Sequence, residues 1–347
     1  MTDAAGPQAL PTPPTSAAVA RRAGVSRATV SYVLNGQAAG RVGARTQAKV
    51  RAAAEELGYV PHAAARSLRA GRGSIVLLAA PADAVPAFGP LFSSFLAGFQ
   101  SALHALGYTG VLHGAPAARP LEAVRAWAEL RPAAVMTLHG PPLDADAVAL
   151  LRRSGTAAVL THGPPGTPGA HTLLLDQHEA GVRAGGHLLG RGRRRIGVVR
   201  PAEPGLAPFA EPRLAGVRTA ARDCPGAEVR PLDLALTEES ASRLAGRWPG
   251  LGLDAVFAYN DEYAMLLVRA LQDAGHTIGG GPGDIAVVGA DDLLLGRLLR
   301  PRLTTVRAEI IPPERVAGLV GRLIREPGTA PAVHRLGTFH LEARESG

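Results

Sequence analysis

The feature that most constrains this chain is an alternation running through residues 74–347. Four short apolar runs, SIVLLAAP, YTGVLHG, AAVMTLH and AAVLTHG, are separated by stretches with amphipathic helical spacing. After Asp176 the pattern starts again with RRRIGVVRP, EVRPLDL, DAVFAYND and DIAVVGAD. Strands that alternate with helices are joined by crossovers, so they lie parallel in a sheet covered by helices, and they read as buried runs. Two similar halves predict two lobes with a cleft between them.

Ligands in open parallel sheets sit just outside the carboxyl ends of the strands. The candidates are therefore Asp83 and Phe88 after the first strand, Asp176 near the crossing between halves, Asn260 and Asp261 after VFAY, and Asp291 and Asp292 after VVGA. Arg213, in EPRLAGV, reads as opening a helix beside the cleft. A planar guanidinium and a carboxylate can clamp neighbouring hydroxyls through charge-assisted hydrogen bonds. Plainer roles stand beside these: Asp261 and Asp292 can cap the helices that follow them, and Asp176 can hold the crossing. Trp248 reads as packing at a helix end, and Trp127 as core or subunit surface. Aromatic residues make up only 4% of the chain, so no sugar-stacking platform stands out.

The front of the chain has a different character. Residues 1–14, MTDAAGPQALPTPP, read as a disordered Pro-rich tail, with neither the basic nor the apolar region of a secretory signal. From Thr15 to Arg72 ten basic residues face only Glu55 and Glu56, which makes this segment +8. Asp3 is the only charge before it, so residues 73–347 carry just +1 of the chain's net +8. A basic front on a nearly neutral body is the footprint of a phosphate-binding module.

Three helices fit this front. Thr15 or Ser16 caps the first, through AAVARRAG, and Gly24 ends it; Ser26 caps the second, RATVSYVLN, closed by Gly36. The third is ARTQAKVRAAAEELG, with Gly58 just past its end. Helical spacing turns Val19, Ala20, Ala23, Val30, Val33, Leu34, Val50, Ala53, Ala54 and Leu57 inward. Two short helices joined by a Gly-containing turn make a helix-turn-helix, whose second helix lays its N-terminal side chains on base edges in the major groove. Its candidate DNA contacts are Ser26, Arg27, Ala28, Thr29, Ser31, Tyr32 and Asn35. An Arg can hold guanine O6 and N7, and an Ala methyl can meet a thymine methyl. In the following YVPHAAARSLRAGR, Pro61 can start a short helix and three alanines allow two such helices to approach closely. Leu68 is then an apolar residue among Arg66, Arg69 and Arg72, which suits a wedge in the minor groove. His62, Arg66, Leu68 and Arg69 join the candidate DNA contacts.

The segments VARRAGVSRATVSYVLNG and TQAKVRAAAEELGYVPHAAARSLRAG together resemble the LacI/GalR family of bacterial transcription regulators. PRLAGV, FAYNDEYA, DIAVVGADD and RPRLTTVR extend the resemblance through the body. It implies an N-terminal all-α helix-turn-helix headpiece (15–60), a hinge helix or linker (61–73) and an α/β two-lobed periplasmic-binding-protein-like core with parallel sheets (74–347). The first lobe is expected at about 74–175 and 306–330, the second at about 176–305 and 331–345. By resemblance, Arg27, Ala28 and Tyr32 read bases, and Leu68 is levered into the centre of a palindromic operator as the hinge helix forms on DNA in a dimer. Arg213, Asn260 and Asp291 are the positions that hydrogen-bond an effector, often a sugar. The implied partners are double-stranded operator DNA, a small sugar-like effector and further copies of the chain, as a homodimer or a dimer of dimers. The implied function is sequence-specific regulation, with repression the first expectation. The chain departs from the pattern at Ala18, where an acidic residue is usual, at Tyr32, where Arg or His is common, and at Gly43, where Ser or Thr usually caps helix three. The loop NGQAAGRVGARTQ is about two residues longer than usual, Ala290 replaces an aromatic residue, and AAVM replaces an Asp-Gly strand start.

Other classes fare poorly. A single Cys, Cys224, excludes a disulfide framework and reads as a buried inert thiol. No H-E-x-x-H or G-x-S-x-G occurs, and the glycines of GRGRRRIG precede a strand, so they form neither a P-loop nor a dinucleotide fingerprint. RGRRR itself reads as a solvated turn. No catalysis, metal or cofactor is expected. No run of 18 apolar residues appears, so neither a membrane helix nor a membrane partner is expected, and the cytoplasm, on the nucleoid, is the expected location. A periplasmic-type small-molecule-binding protein is the main rival; the basic front and the missing signal argue against it.

Overall fold

The computed structural model describes residues 13–35, 38–60, 73–81, 89–115, 120–138, 143–163 and 166–347. The chain forms two compact units, Met1–Ser74 and Ile75–Gly347.

The first unit holds α1 (Ser16–Ala23), α2 (Arg27–Leu34) and α3 (Ala44–Glu56). Thr15 Oγ1 accepts from Ala18 N at 3.2 Å and Ser26 Oγ from Thr29 N at 3.1 Å, so α1 and α2 each start on a side-chain cap. Gly43 offers no such oxygen, and α3 begins without a side-chain cap. Gly24, at φ +68°, supplies the left-handed residue that turns the chain from α1 into α2. α2 ends at Leu34, with Asn35 as its cap. Val19, Val30, Val33 and Val50 are buried with Ala20, Ala53 and Ala54, and Ala23, Leu34 and Leu57 pack half-buried against them. An exposed Arg22–Glu56 pair at 2.6 Å closes α1 onto the end of α3; exposed pairs of this kind contribute little.

The second unit contains two six-stranded sheets. The first is ordered β11-β5-β4-β3-β1-β2, from β1 (Ile75–Pro81), β2 (Thr109–Ala115), β3 (Ala134–Thr137), β4 (Ala158–His162), β5 (His171–Leu174) and β11 (Val333–Arg335). All its pairings are parallel; Leu77, for example, sits opposite both Val111 and Val135. α4 (Pro90–Ala105), α5 (Pro120–Glu129) and α6 (Ala145–Arg153) belong to this half. The second sheet is ordered β12-β10-β9-β8-β6-β7, from β6 (Arg195–Pro201), β7 (Glu228–Leu234), β8 (Ala255–Phe257), β9 (Ala286–Ala290), β10 (Thr304–Ile310) and β12 (Gly337–Glu342). Its helices are α7 (Gln177–Gly190), α8 (Ala207–Ala221), α9 (Glu238–Leu251), α10 (Asp261–Asp273) and α11 (Leu294–Leu298). The pairings are parallel except β10 with the edge strand β12, which is antiparallel. α12 (Pro313–Arg325) packs on α4 and so belongs with the first sheet.

The chain therefore crosses between lobes three times: at Leu175–Asp176, after β10, and at Leu336 between β11 and β12. The crossings are tied together: Leu336 N donates to Leu174 O, and Ile311 N to Leu336 O, both at 2.7 Å. Both returns fall later than the sequence suggests. Residues 306–310 stay in the second sheet as part of β10, and residues 333–335 still pair in the first as β11.

Three other expectations need correction. β2 and β7 are edge strands with exposed positions, not buried ones, because only one neighbour covers each. Cys224 is half-buried rather than enclosed. RGRRR is a solvated turn only in part: Arg191, Gly192 and Arg195 are exposed, but Arg193 is buried and donates to the carbonyls of Asp284, Gly279 and Gly281 at 2.7–3.2 Å, clamping the glycine-rich loop before β9. Trp248 and Trp127 are both buried in core clusters.

Candidate functional site

Two surfaces concentrate chemistry. The first is the outer face of α2. Val30 and Val33 turn into the headpiece core, so helical geometry turns Arg27, Ala28 and Tyr32 outward, and all three are exposed along with Ser26. Thr29, Ser31 and Asn35 flank this row, half-buried. Thr29 Oγ1 lies 2.9 Å from Ser26 Oγ, and Asn35 Nδ2 donates to Ser31 Oγ at 3.1 Å. Tyr32 does not stand alone: the Arg41 guanidinium lies 5.3 Å from its ring centroid. That arginine comes from the segment between α2 and α3, and it sets a cation against a side chain of the exposed face.

The second is a cavity of about 150 Å³ between the two sheets of the second unit. Its polar groups come mainly from the second lobe. Arg213 reaches it from α8, Asn260 from the start of α10 and Asp291 from the end of β9. Arg213 is buried and held from two sides: its Nε donates to Gln177 Oε1 at 2.9 Å, and its Nη1 donates to the Tyr259 carbonyl. Its guanidinium also lies 4.8 Å from the Tyr259 ring centroid. Asn260 caps α10 by accepting from Tyr263 N at 3.1 Å, and its Nδ2 faces Glu262 Oε2 at 3.3 Å. Asp291 has φ +97° and Asp292 φ +53°. Two successive left-handed, non-glycine residues are costly, and such strain gathers where a side chain must be aimed. Burial pushes the Asp291 carboxyl above the usual aspartate range, against the pull of Arg213.

The cavity's other walls are apolar, formed by Leu91, Phe92, Phe95, Met136, Leu138 and Leu173 among others. The His162 ring, at the end of β4, is tilted against Phe209 of α8 at 5.7 Å between centroids. Burial lowers the His162 pKa to about 4, so the ring is neutral at physiological pH.

These two surfaces can now be set beside known proteins. Residues 17–62 match the family described as bacterial regulatory proteins, lacI family, and residues 186–346 match the periplasmic binding protein-like domain. The HTH-type transcriptional regulator GalR of Escherichia coli K12 is 32% identical over 300 residues, covering 84% of each chain. The chain belongs to the lacI family of bacterial regulatory proteins. It is a DNA-binding transcription regulator with the two-lobed ligand-binding core of that family. Among solved structures, a complex of the transcriptional regulator CelR with cellobiose is 28% identical, with a TM-score of 0.62 over 96% of this chain and all of that one. The lac repressor dimer bound to operator and the anti-inducer ONPF shares the fold, with a TM-score of 0.76 at 23% identity over 96% and 99% of the two chains.

The lacI-family chain places its expected residues unevenly. Arg213, Asn260 and Asp291 come together in the cavity. Arg213 does not open a helix; it lies in the second turn of α8, which starts at Ala207. Asp176 is not among the lining residues. It caps α7 by accepting from His178 N at 3.1 Å, and its neighbour Gln177 takes the place in the cavity. Neither Asp261 nor Asp292 caps its following helix. Asp261 is fully buried and accepts from Thr305 Oγ1 and from Leu293 N, both at 2.6 Å. Asp292 instead pairs with Arg297 at 2.6 Å and Arg344 at 2.5 Å. Burial raises the Asp292 pKa, but hydrogen bonds from both arginines outweigh it and leave the carboxyl below its usual range. His62, Arg66, Leu68, Arg69, Asp83 and Phe88 lie outside the described residues. Sequence reasoning missed Gln177, His162 and the aromatic side chains. The strand-end rule could have found His162, the last residue of β4. The scarcity of aromatic residues hid that Phe92, Phe95, Phe209, Tyr259 and Phe339 all meet in one cavity.

Proposed function

We propose that this regulator is a repressor that binds a palindromic operator as a homodimer or pair of dimers, acting in the cytoplasm under a small sugar-like effector held between its lobes. The observation that carries the DNA reading is the exposed row Arg27, Ala28 and Tyr32, on a helix whose opposite face is locked into a core. In this reading Arg27 holds a guanine edge and Ala28 meets a thymine methyl, while Ser26, Thr29, Ser31 and Asn35 face the backbone around them. His62, Arg66, Leu68 and Arg69 are assigned to the minor groove through the linker 61–73. Arg213, Asn260 and Asp291 are assigned to the effector. Self-association is supported by Leu294, Leu295 and Leu298 of α11, which are 69%, 59% and 65% exposed. A two-fold interface pairs such a patch with its own copy. The effector shifts operator affinity only by its differential affinity for two lobe arrangements.

The test is selection of operator sites from random duplexes with the purified full chain, followed by footprinting. Enrichment of an inverted repeat protected in both half-sites is expected. Arg27→Ala should weaken the selected site by about 1–3 kcal/mol and relax its specificity at one position per half-site. If no sequence were enriched, the regulator reading would fail. A chain that took up small ligands but retained no duplex at low salt would be a binding protein of the periplasmic type.

A further inference from the structure

Charge is paired differently in the two lobes of the second unit. Among the described residues, ten arginines of the second lobe, Arg200 and Arg344 among them, lie within 3.8 Å of a carboxylate, and no arginine of the first lobe does. Topology gathers five of these unpaired cations at one end of the first lobe. A helix that covers a parallel sheet runs back against the strands, so it finishes where the strands begin. Arg131 lies between α5 and the start of β3, Arg152 and Arg153 close α6 before β4, and Arg322 and Arg325 stand in the last turn of α12 before β11. Arg131, Arg153, Arg322 and Arg325 are exposed. Arg152 is half-buried and braces this end, donating to the carbonyls of Gly169 at 2.9 Å and Pro327 at 3.3 Å. Glu129 and Glu326 oppose the five; the lobe's other described acids, Glu122, Asp144, Asp146 and Glu314, sit at the starts of the same helices, at the opposite end. The histidines of β5 and β11 register the excess. Burial first, then His334 and Arg152, lower the His171 pKa, and burial, then Arg322, lower that of His334.

This end also receives the chain from the headpiece, because Ile75 begins β1 in the same parallel sheet. The thirteen residues 61–73 can span at most about 45 Å. Duplex bound by the headpiece is therefore tethered near the basic end, where even weak contacts act at high effective concentration. Exposed guanidinium groups without carboxylate partners gain by displacing counterions from phosphates. We propose that this end of the first lobe is a second DNA-binding surface, which holds the phosphate backbone beside the operator without reading its sequence.

The test uses the full chain and the operator found by selection, as a duplex that stops at the protected site and as one extended on each side by a helical turn (~10 base pairs). The longer duplex is expected to bind about threefold tighter or more at low salt. Its slope of log affinity against log salt should be steeper by about 0.9 for each added phosphate contact. Arg153→Gln, Arg322→Gln and Arg325→Gln combined should abolish both differences and leave the preferred sequence unchanged. Arg218→Gln, Arg222→Gln and Arg247→Gln combined, at three exposed arginines of the second lobe, should leave both differences as in the native chain. Equal affinity and slope for the native chain on the two duplexes overturns the proposal, whether or not the variants fold. An equal loss in the second-lobe variant also overturns it, since bulk charge would then be the cause. So does a first-lobe variant that melts earlier yet keeps the flank effect, because its arginines would then serve only the helix C-termini they neutralise.

Discussion

At the scale of single residues, the structure spends folding free energy on aspartates. Asp261 is fully buried against Gly289, where a β-carbon would lie 2.2 Å from Asp261 Oδ1; this is why strand β9 carries a glycine there. The carboxyl ties the start of α10 to β10 through Thr305 and to the loop before α11 through Leu293 N. It thereby fixes Asn260 and Asp291, its neighbours on the cavity side. Burial raises its pKa to about 7, with Asp291 and Asp292 adding like charge and the two hydrogen bonds opposing. An unfolded aspartate ionises near pH 4. The folded chain thus holds a proton that the unfolded chain releases, and this contribution is complete below about pH 4 and lost as pH rises through about 7. Asp261→Asn can keep both hydrogen bonds without ionising. Its stability relative to the native chain should therefore increase between pH 5 and pH 8 in urea titrations. A constant difference over that range would show that Asp261 is ionised throughout.

At the scale of elements, the decisive contact is the crossing of α7 and α8. A β-carbon on Gly181 would lie 1.9 Å from Arg213 O, and one on Gly216 2.1 Å from His178 O, so these two helices touch backbone to backbone. That approach brings Gln177 within reach of Arg213, 36 residues along the chain. Gly216→Ala must push the helices apart and should cost about 3 kcal/mol of stability, at the upper end for overpacking. Thermal melts would show that loss, and calorimetry would show weakened effector binding beyond it, because Arg213 loses its support. Unchanged binding in a destabilised variant would remove the positioning role from the crossing. This contact also shows where sequence legibility stops. The headpiece helices could be read because caps and apolar spacing are local: Thr15, Ser26, Gly24 and the valines each act within a few residues. The inner strands could be read from their apolar runs. β5, β10, β11 and β12 could not: TTVRAEI carries charges, VHR is three residues long, and each is a strand only because a distant partner pairs with it. The cavity was legible where a residue ends a strand, as with Asn260 and Asp291. It was illegible where two helices had to meet, as with Gln177.

At the scale of the whole molecule, the proposed dimer links the basic front to the exposed leucines of α11, and the link can be tested. One headpiece neutralises a limited set of phosphates, and each phosphate contributes about −0.9 to the slope of log affinity against log salt. A dimer engages two half-sites, so it should show about twice the slope of a monomer. Leu294, Leu295 and Leu298 lie far out in solvent on a helix of five residues, next to Arg297 and the paired Asp292. Replacing Leu294 and Leu298 with Asp puts two charges where a second copy would bury apolar surface, without touching either core. Sedimentation should then show a monomer, with thermal stability reduced only by the lost association. On the selected operator the double variant should bind far more weakly, with a salt slope near half that of the native chain, because each half-site is filled independently. If the variant stayed dimeric, or if a monomer kept the native affinity and slope, α11 would not be the surface that joins two headpieces on one operator.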